Sequence, residues 1–463
     1  MQKPTIAAIT TPLAPSGVGI IRISGPMAHK IASRLFRPAE KILNAPAYTA
    51  VYGRIFHDNI ELDNCIAVSF RAPNSFTGED TIELNCHGSV FLLKKILSLL
   101  IQNGARQAQA GEFTRQAFEN GKLDLTQAES ILSTIHAQNS QMLNAANTVK
   151  NGALFKKITE IKSRIVYIAA ELTAHIDFPD DEIPIDFTSL KSSLANCINQ
   201  LQNLIDSFNR TLIWRQGVTA VLAGAPNSGK STLLNTLAGF ERAIVTDIAG
   251  TTRDIIEEQI MLDDLQVRFI DTAGIRNSSD KIEQIGIEKS RENIEKADII
   301  LAIFDSSKNL TTHDNEIIEL CKNRPAIALL NKSDLPCAPL APFACEGCGN
   351  PQIGGGRYFS ATLQISAAQN IGLQDLSKHI IKALGANYQT NDETALINNR
   401  QRDLTAKALE ILQQTELDFA QNQSADIIAF NIEEVVAILS ELSGESASQQ
   451  IVDEVFANFC VGK

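Results

Sequence analysis

The sequence predicts a multidomain protein in which an α+β domain precedes a helical domain, and an α/β domain is inserted into the helical one. Its 463 residues are too many for a single hydrophobic core. The pattern also changes along the chain: short β-rich runs come first, helical spacing follows, buried strands alternate with helices, and helices return. We therefore place the domains at residues 1–122, 123–213, 214–379 and 380–463, with the second and fourth segments forming the helical domain.

The composition, 44% hydrophobic and 20% charged, is typical of a soluble globular protein. A net charge of −12 argues against broad, charge-driven nucleic-acid binding but leaves room for a local basic patch. The start "MQKPTIAAIT" lacks the features of a signal peptide, and no apolar run approaches a membrane span. Eight scattered cysteines suit a reducing compartment, so we expect a cytoplasmic protein without membrane contact.

Each domain has its own pattern. Runs such as "VGIIRIS" and "CIAVSF" alternate with turn-rich segments in the first 120 residues, which predicts an α+β domain. After Gly217, "VTAVLAG", "LQVRFID", "DIILAIFD" and "AIALLNKSD" alternate with helical segments, which predicts a mostly parallel sheet. In the helical domain, apolar residues recur at helical spacing at Leu154, Ile158, Ile161, Ile165, Ile168 and Leu172.

"GAPNSGKS", from Gly224 to Ser231, matches the phosphate-loop pattern between a predicted strand and a predicted helix. Its glycines let backbone N–H groups curl around phosphates, Lys230 brings a positive charge to them, and Ser231 can bind magnesium. We expect this loop to contact the nucleotide through Asn227, Ser228, Gly229, Lys230, Ser231 and Thr232.

The segment "NKSD" identifies the base as guanine, because Asp334 can accept two hydrogen bonds that adenine cannot supply. "ISAAQNIG" offers the backbone amides of Ser366 and Ala367, whereas Ser360 in "FSAT" is a second candidate. Ser366 is preferred because its segment, "ISAAQNIGLQDL", leads into a predicted helix. The expected guanine-side residues are Asn331, Lys332, Asp334, Ser366 and Ala367. Together with the phosphate loop they predict a Ras-like P-loop GTPase domain.

Two segments match the switches of a GTPase, "TDIAGTTRD" and "DTAG". The nucleotide contacts expected in them are Thr246, Asp247, Ile248, Ala249, Gly250, Thr251, Thr252, Asp271, Thr272, Ala273 and Gly274. Ile275 stands where many GTPases keep a glutamine that orients the attacking water. Either a monovalent ion held by Asn227 and a carboxylate such as Glu283 replace that glutamine, or the GTPase is slow or partner-activated. The residues alone leave both readings open.

Several segments resemble the bacterial MnmE (TrmE) family of tRNA modification GTPases: "GVGIIRISG", "PNSFTGEDTIEL", "GEFTRQAFENGKLDLTQAE", "AIVTDIAGTTRD" and "FCVGK". The resemblance extends from about residue 5 to Lys463. It implies an N-terminal domain that forms a homodimer and binds 5-formyltetrahydrofolate or a related tetrahydrofolate through Arg22, Glu83, Lys122 and Lys463. It also implies potassium bound by Asn227, Thr246, Ile248 and Thr251, magnesium bound by Ser231 and Thr252, and Glu283 as the catalytic residue. An active, potassium-dependent GTP hydrolase is therefore favoured.

The resemblance also implies a partner and a substrate. With the flavoprotein MnmG, in a heterotetramer, such a protein installs an aminomethyl or carboxymethylaminomethyl group on C5 of the tRNA wobble uridine, and GTP hydrolysis drives a conformational cycle. The alternative function, which is regulatory and not part of an RNA-modifying reaction, is a GTP-binding switch in ribosome assembly. A folate-dependent methyltransferase with an inactive GTPase domain is a third, disfavoured by the intact nucleotide segments. Folate binding by residues 1–122 would separate the first two.

Three further residue sets have structural interpretations. Cys460, in "FCVGK", is expected to be a semi-buried structural thiol, although a role near the modified base is the competing hypothesis. His87 is expected to make a structural hydrogen bond. Cys345 and Cys348 lack a second ligand pair, so a surface loop is favoured over a zinc site.

Overall fold

A computed structural model describes residues 3–177, 186–239, 258–270, 296–322, 324–336, 358–385, 395–421 and 423–463. The chain divides into two compact units. The first comprises Met1–His136, Ala146–Ile205 and Thr394–Lys463, and the second comprises Ala137–Ala145 and Asp206–Glu393. Each unit has its own sheet.

The first unit begins with a seven-stranded sheet in the order β3-β4-β5-β6-β2-β1-β7. Its strands are β1 (Ile6–Ile9), β2 (Ser16–Ser24), β3 (Phe36–Arg37), β4 (Thr49–His57), β5 (Ile60–Phe70), β6 (Thr81–Gly88) and β7 (Arg106–Gln107). Neighbours run antiparallel except for β1 and β7, which are parallel. The register places Arg22 of β2 opposite Glu83 of β6.

The helices of this region are α1 (Ala28–Leu35), α2 (Ala39–Leu43), α3 (Val90–Gln102) and α4 (Glu112–Glu119). Alternate strand residues and the apolar side chains of α1 and α3 form one core, which includes Ile21, Ile23, Ile31, Ile82, Leu84, Leu93 and Ile96. The side-chain hydroxyl of Ser89 accepts a hydrogen bond from the backbone N–H of Leu92, so α3 begins with a serine cap. The predicted α+β architecture is confirmed.

The helical region begins with α5 (Leu125–Ile135), α6 (Ser140–Lys150), α7 (Ala153–Asp177) and α8 (Phe187–Gln216). Asp124 and Gln127 form a reciprocal capping box that starts α5. The buried residues of α7 are Leu154, Ile158, Ile161, Ile165, Ile168 and Leu172, so the predicted apolar stripe is confirmed.

The second unit has a six-stranded sheet in the order β13-β12-β11-β8-β10-β9. Its strands are β8 (Val218–Gly224), β9 (Glu258–Leu262), β10 (Leu265–Ile270), β11 (Ile299–Asp305), β12 (Ala326–Asn331) and β13 (Ala361–Gln364), and its described helices are α9 (Lys230–Gly239), α10 (Thr312–Leu320) and α11 (Leu376–Ala383). All adjacent strands are parallel except the edge pair β9 and β10. The carboxyl ends of β8, β11 and β12 therefore meet at one edge, where ligands bind in open α/β sheets.

The chain returns to the first unit with α12 (Asn399–Ala420), α13 (Ala425–Ser443) and α14 (Gln449–Ala457). Arg400 of α12 holds Glu129 of α5 through two hydrogen bonds of 2.6 and 3.0 Å. Apolar side chains of α5 and α14 share a small core with Phe459. The predicted fold class, an α/β domain interrupting a helical one, is confirmed, whereas the four predicted domain boundaries stay predictions.

Candidate functional site

The phosphate loop joins β8, in the middle of the second sheet, to the first turn of α9. Two of its residues have left-handed backbones, Asn227 with φ of 62° and Gly229 with φ of 102°. Such turns aim successive N–H groups into a concavity that suits an anion. A Cβ on Gly229 would lie 2.1 Å from Nδ2 of Asn331, so only glycine fits there.

Lys230 lies across this loop. Its Nζ donates hydrogen bonds to the carbonyl oxygens of Gly224 and Ala225, at 2.6 and 2.9 Å. Burial lowers the pKa of the Lys230 amine. Because these described partners are neutral, the lysine brings an uncompensated positive charge to the place where phosphates would bind.

Asn331, at the carboxyl end of β12, connects the phosphate loop to the predicted guanine loop. Its Nδ2 donates to the carbonyl of Ser228 at 2.9 Å, and its Oδ1 accepts from the backbone N–H of Ala367 at 2.9 Å. The side chain is 3% exposed. A single buried asparagine thus joins the phosphate loop to the predicted guanine loop.

The guanine-side residues lie together around this asparagine. Ser366 Oγ donates to Oδ1 of Asp334 at 2.6 Å, which orients the carboxylate that is predicted to recognise guanine. The backbone N–H of Ser360 donates to the carbonyl of Ala326, at the amino end of β12, so Ser360 lies at the opposite sheet edge. The structure therefore brings Ser366, and not Ser360, to the phosphate-loop edge.

Two contacts of this site were missed by sequence reasoning. Lys332, with φ of 65°, forms an ion pair of 2.6 Å with Asp305, the last residue of β11. Burial raises the pKa of Asp305, but hydrogen bonds from Lys332 and Ser307 and the Lys332 charge outweigh it, so the net pKa is lowered. Thr236 of α9 donates to the carbonyl of Ala367 at 2.7 Å. The only sequence signal for the first contact was that two neighbouring parallel strands end in polar residues.

The other residues predicted to contact the nucleotide or its ions are either exposed at the phosphate loop or outside the described residues. Asn227, Ser231 and Thr232 are exposed on the loop and on the first turn of α9. Residues 246–252 and 271–274, Ile275 and Glu283 lie outside the described residues. Cys345 and Cys348 do too, and no cluster of three or more potential metal-binding side chains occurs in the part of the chain that the structure describes.

A second cluster forms in the first unit around three of the four residues that the resemblance assigned to folate. Arg22 Nε donates to Oε1 of Glu83 at 2.8 Å, and both side chains are about one-fifth exposed. The Arg22 guanidinium lies 5.8 Å from the ring centre of Phe76 and 5.5 Å from that of Phe113, two neighbours that sequence reasoning missed. Cations over aromatic faces are attracted by the ring.

Lys463 reaches this cluster because the last residues pair with the N-terminal domain. The backbone N–H of Phe113 donates to the Lys463 carbonyl at 3.2 Å, and Val461 forms a β-bridge with Ala110. Burial lowers the pKa of the Lys463 amine, the Arg22 charge lowers it further, and the Glu83 carboxylate opposes them. Lys122 donates to the Pro73 carbonyl at 3.0 Å, in the same segment as Phe76.

The predictions for Cys460 and His87 have opposite outcomes. Cys460 is exposed, so the expectation of a semi-buried thiol is wrong. The preceding residue, Phe459, is buried, and the following residue, Val461, is half exposed. His87 does make a structural hydrogen bond, from Nδ1 to Oδ1 of Asp63 at 2.5 Å, as expected.

The parallel sheet, the phosphate loop and the asparagine that joins it to a guanine loop define a P-loop GTPase. The family model described as "GTP-binding protein TrmE N-terminus" matches residues 5–122, and the model "MnmE helical domain" matches residues 125–460. The chain belongs to the MnmE family of tRNA modification GTPases.

Relatives match along the whole chain. The tRNA modification GTPase MnmE of Natranaerobius thermophilus is 38% identical over 467 residues, and that of Carboxydothermus hydrogenoformans is 37% identical over 472; each match covers 100% of both chains. Among solved structures, Era from Aquifex aeolicus bound to GDP·AlF4− is 27% identical with a TM-score of 0.25, covering 42% of this chain and 66% of that one. The G domain of the T. maritima FeoB iron transporter is 20% identical with a TM-score of 0.24, covering 36% and 98%. Within the described residues, no helix is long and apolar enough to cross a membrane.

Proposed function

We propose that this protein is a potassium-activated GTPase that, together with the flavoprotein MnmG, installs an aminomethyl or carboxymethylaminomethyl group on C5 of the tRNA wobble uridine. The observation that carries the GTP part is the Asn331 bridge, at 2.9 Å to each side, between phosphate loop and guanine loop. The tRNA part is supported by relatives named tRNA modification GTPases that match the full chain.

The residues present fit the nucleotide and its ions. Ser228 Oγ is buried and has no partner among the described residues, as expected of a hydroxyl that a ligand completes. Ser231 lies in the first turn of α9, directly after Lys230, where it would hold magnesium with Thr252. Asn227 is exposed in the loop, where its side-chain oxygen would bind potassium together with Thr246, Ile248 and Thr251. When bound, the two cations would neutralise charge that develops on the phosphates.

The protein's own groups have defined parts in this proposal. Lys230 would exchange its two carbonyl partners for phosphate oxygens, since an anion binds an ammonium group more strongly than a neutral carbonyl does. Asp334, oriented by Ser366, would accept the two guanine donors. Glu283 would orient the attacking water, which Ile275 cannot do.

The Arg22 cluster suits a tetrahydrofolate. The pterin is flat and carries N–H donors, and the glutamate tail is anionic. Phe76, which is exposed, supplies an aromatic face, Glu83 an acceptor, and Arg22 and Lys463 positive charge, while the buried Phe113 lies beside the Arg22 guanidinium. Lys122 lies next to the same loop, through Pro73. A homodimer, a heterotetramer with MnmG and a cytoplasmic location complete the proposal and rest on the family resemblance.

GTP turnover in matched potassium and sodium buffers tests the leading part. Stimulation by potassium should disappear in Asn227→Ala and Glu283→Ala while GTP still binds, and Asn235→Ala, an exposed asparagine of α9, is the matched control. Equal wild-type rates in the two salts would refute the potassium mechanism.

A separate titration tests the folate part. Arg22→Met should weaken binding of 5-formyltetrahydrofolate, whereas Lys95→Met, which removes an exposed cation of α3, should not. Unchanged affinity in Arg22→Met would remove the ligand from this cluster.

A further inference from the structure

A basic groove lies at the β3–β4 edge of the N-terminal sheet, away from the Arg22 cluster. It has a volume of ≈ 1080 Å³ and is lined by residues of α1, β3, α2 and β4 and by Asn103 after α3. Four cations line it, Arg34, Arg37, Lys41 and Arg54, against one acid, Glu40. In a chain with a net charge of −12, this local excess of positive charge stands out.

The guanidinium groups of the groove are held by neutral partners. Arg34 Nη1 donates to the carbonyl of Asn103 at 2.9 Å. Arg37 Nη1 donates to the carbonyls of Ser33, Arg34 and Phe36 at 3.1 to 3.2 Å. Carbonyl oxygens fix where a guanidinium points without neutralising it, so both groups keep a full charge and spare donors for an anion.

The other two cations differ from each other. Arg54 is paired with Glu61 at 3.1 Å. Lys41, like Arg34 and Arg37, belongs to no ion pair among the described residues. Three uncompensated cations therefore lie along one groove, which matches a chain of phosphates better than a single anion.

Tyr52 adds a flat surface to this groove. Its side chain is 66% exposed, and it stands on β4 next to the cations. An exposed aromatic ring beside cations that bind phosphates is the arrangement by which proteins hold unpaired nucleotides: the base stacks while the backbone pairs with the charges.

We propose that this groove binds a stretch of the RNA substrate that contains unpaired nucleotides, with phosphates on Arg34, Arg37 and Lys41 and a base stacked on Tyr52. The inference rests on the proposed function, because it takes tRNA as the substrate. It adds a surface in the N-terminal domain, distinct from both the nucleotide site and the Arg22 cluster, at which that substrate is held.

Binding of an unmodified tRNA transcript to the full-length protein, followed by fluorescence anisotropy at several salt concentrations, tests the charges. Each lost phosphate contact lowers the slope of log K against log salt by roughly 0.7 to 0.9, and costs roughly fivefold to eightfold in affinity at 0.1 M salt. Arg34→Gln with Lys41→Gln should therefore reduce the slope by about 1.4 to 1.8. Lys94→Gln with Lys95→Gln, which removes two exposed cations of α3 outside the groove, should leave the slope unchanged.

Tyr52→Leu tests the stacking part. It should weaken tRNA binding by roughly 5- to 150-fold with little change in slope, and should not affect binding of a duplex RNA, which offers no unpaired base. Unstimulated GTP turnover should stay at the wild-type value in every variant. Because the nucleotide site belongs to the other compact unit, a wild-type circular dichroism spectrum and thermal unfolding midpoint are the measurements that show the N-terminal domain of each variant folds.

The outcomes separate this inference from the function on which it rests. If wild-type protein fails to bind tRNA, the proposed function fails on this point and the groove proposal falls with it. If wild type binds and the groove pair matches the α3 pair, the groove proposal alone is overturned. If sedimentation shows that Arg34→Gln with Lys41→Gln changes the oligomeric state, the groove is a subunit contact and the RNA proposal is wrong.

Discussion

Replacing Asn331 with alanine should uncouple the two halves of the nucleotide site. The wild-type side chain makes two hydrogen bonds of 2.9 Å, one donated to the Ser228 carbonyl and one accepted from the Ala367 N–H. Because Asn331 is 3% exposed, both backbone groups lose their partner in a buried place. Each buried backbone group that is left without a partner costs about 1 to 3 kcal/mol, so the two together remove about 2 to 6 kcal/mol of stabilising free energy from the folded site.

The lower end of this range applies if water enters the gap that the side chain leaves. A loss of about 2 kcal/mol corresponds to roughly 30-fold weaker binding of GTP. Asn331→Asp should be informative as well. It keeps an acceptor for the Ala367 N–H but loses the donor and places a carboxylate against the Ser228 carbonyl, so its affinity should also fall.

Titration of a fluorescent GTP analogue, with the thermal unfolding midpoint measured alongside, provides the assay. Asn315→Ala, an exposed asparagine of α10, is the matched control and should bind like wild type. If Asn331→Ala binds GTP with wild-type affinity and unfolds at the wild-type temperature, the bridge has no energetic role and the reasoning is refuted.

Three further predictions concern the backbone at Gly229, the ion pair of Arg400 with Glu129, and the buried His29. Gly229→Ala should abolish GTP binding, because its Cβ would lie 2.1 Å from Nδ2 of Asn331, while Gly239→Ala, where nothing lies within 4 Å, should bind normally. Arg400→Met should lower the free energy of unfolding by about 3 to 5 kcal/mol in urea denaturation, since it leaves Glu129 buried without its cation; a loss under about 1 kcal/mol would contradict this. Burial, and then the Arg71 charge, lower the pKa of His29 to about 4, so this histidine is neutral when folded but takes up a proton below about pH 6.5 when unfolded. Stability should therefore decrease between pH 6.5 and 4, by about 3 kcal/mol from this residue, and His29→Gln should flatten the urea midpoint over that range; an equally steep decline in the variant would exclude His29 as the cause.

The parts of the site that the sequence predicts are those built from one continuous segment. The phosphate loop needs only its own glycines, Lys230 and the flanking strand and helix, so the spacing in "GAPNSGKS" is sufficient. The Lys332–Asp305 pair depends on β11 lying next to β12, which no local pattern states. The Arg22–Glu83 pair likewise depends on the register between β2 and β6, and a slip of one residue would place the two side chains on opposite faces.

The wrong prediction for Cys460 has a similar cause. The average tendency of free cysteines to be buried was applied to a segment in which burial is decided by pairing. Val461 bridges Ala110, and Phe459 fills the pocket beside Phe456 at a ring distance of 5.5 Å. The thiol between them is left at the surface. Composition predicts burial in a core, but not in a short segment in which backbone pairing leaves two successive side chains, those of Cys460 and Val461, exposed.

The same short segment connects the helical domain to the Arg22 cluster. Gly462 has φ of 101°, and a Cβ there would lie 2.8 Å from the carbonyl of Ile9, so the backbone itself packs against the N-terminal sheet. Lys463 is thereby close enough to Arg22 and Glu83 for their charges to shift the pKa of its amine. Helix α14 ends at Ala457, four residues before Val461. Three residues, Asn458 to Cys460, separate the end of α14 from the bridge between Val461 and Ala110. The backbone N–H groups of Gly111 and Phe113 hold the carbonyls of Cys460 and Lys463, so the N-terminal domain itself fixes where the last residue lies beside Arg22.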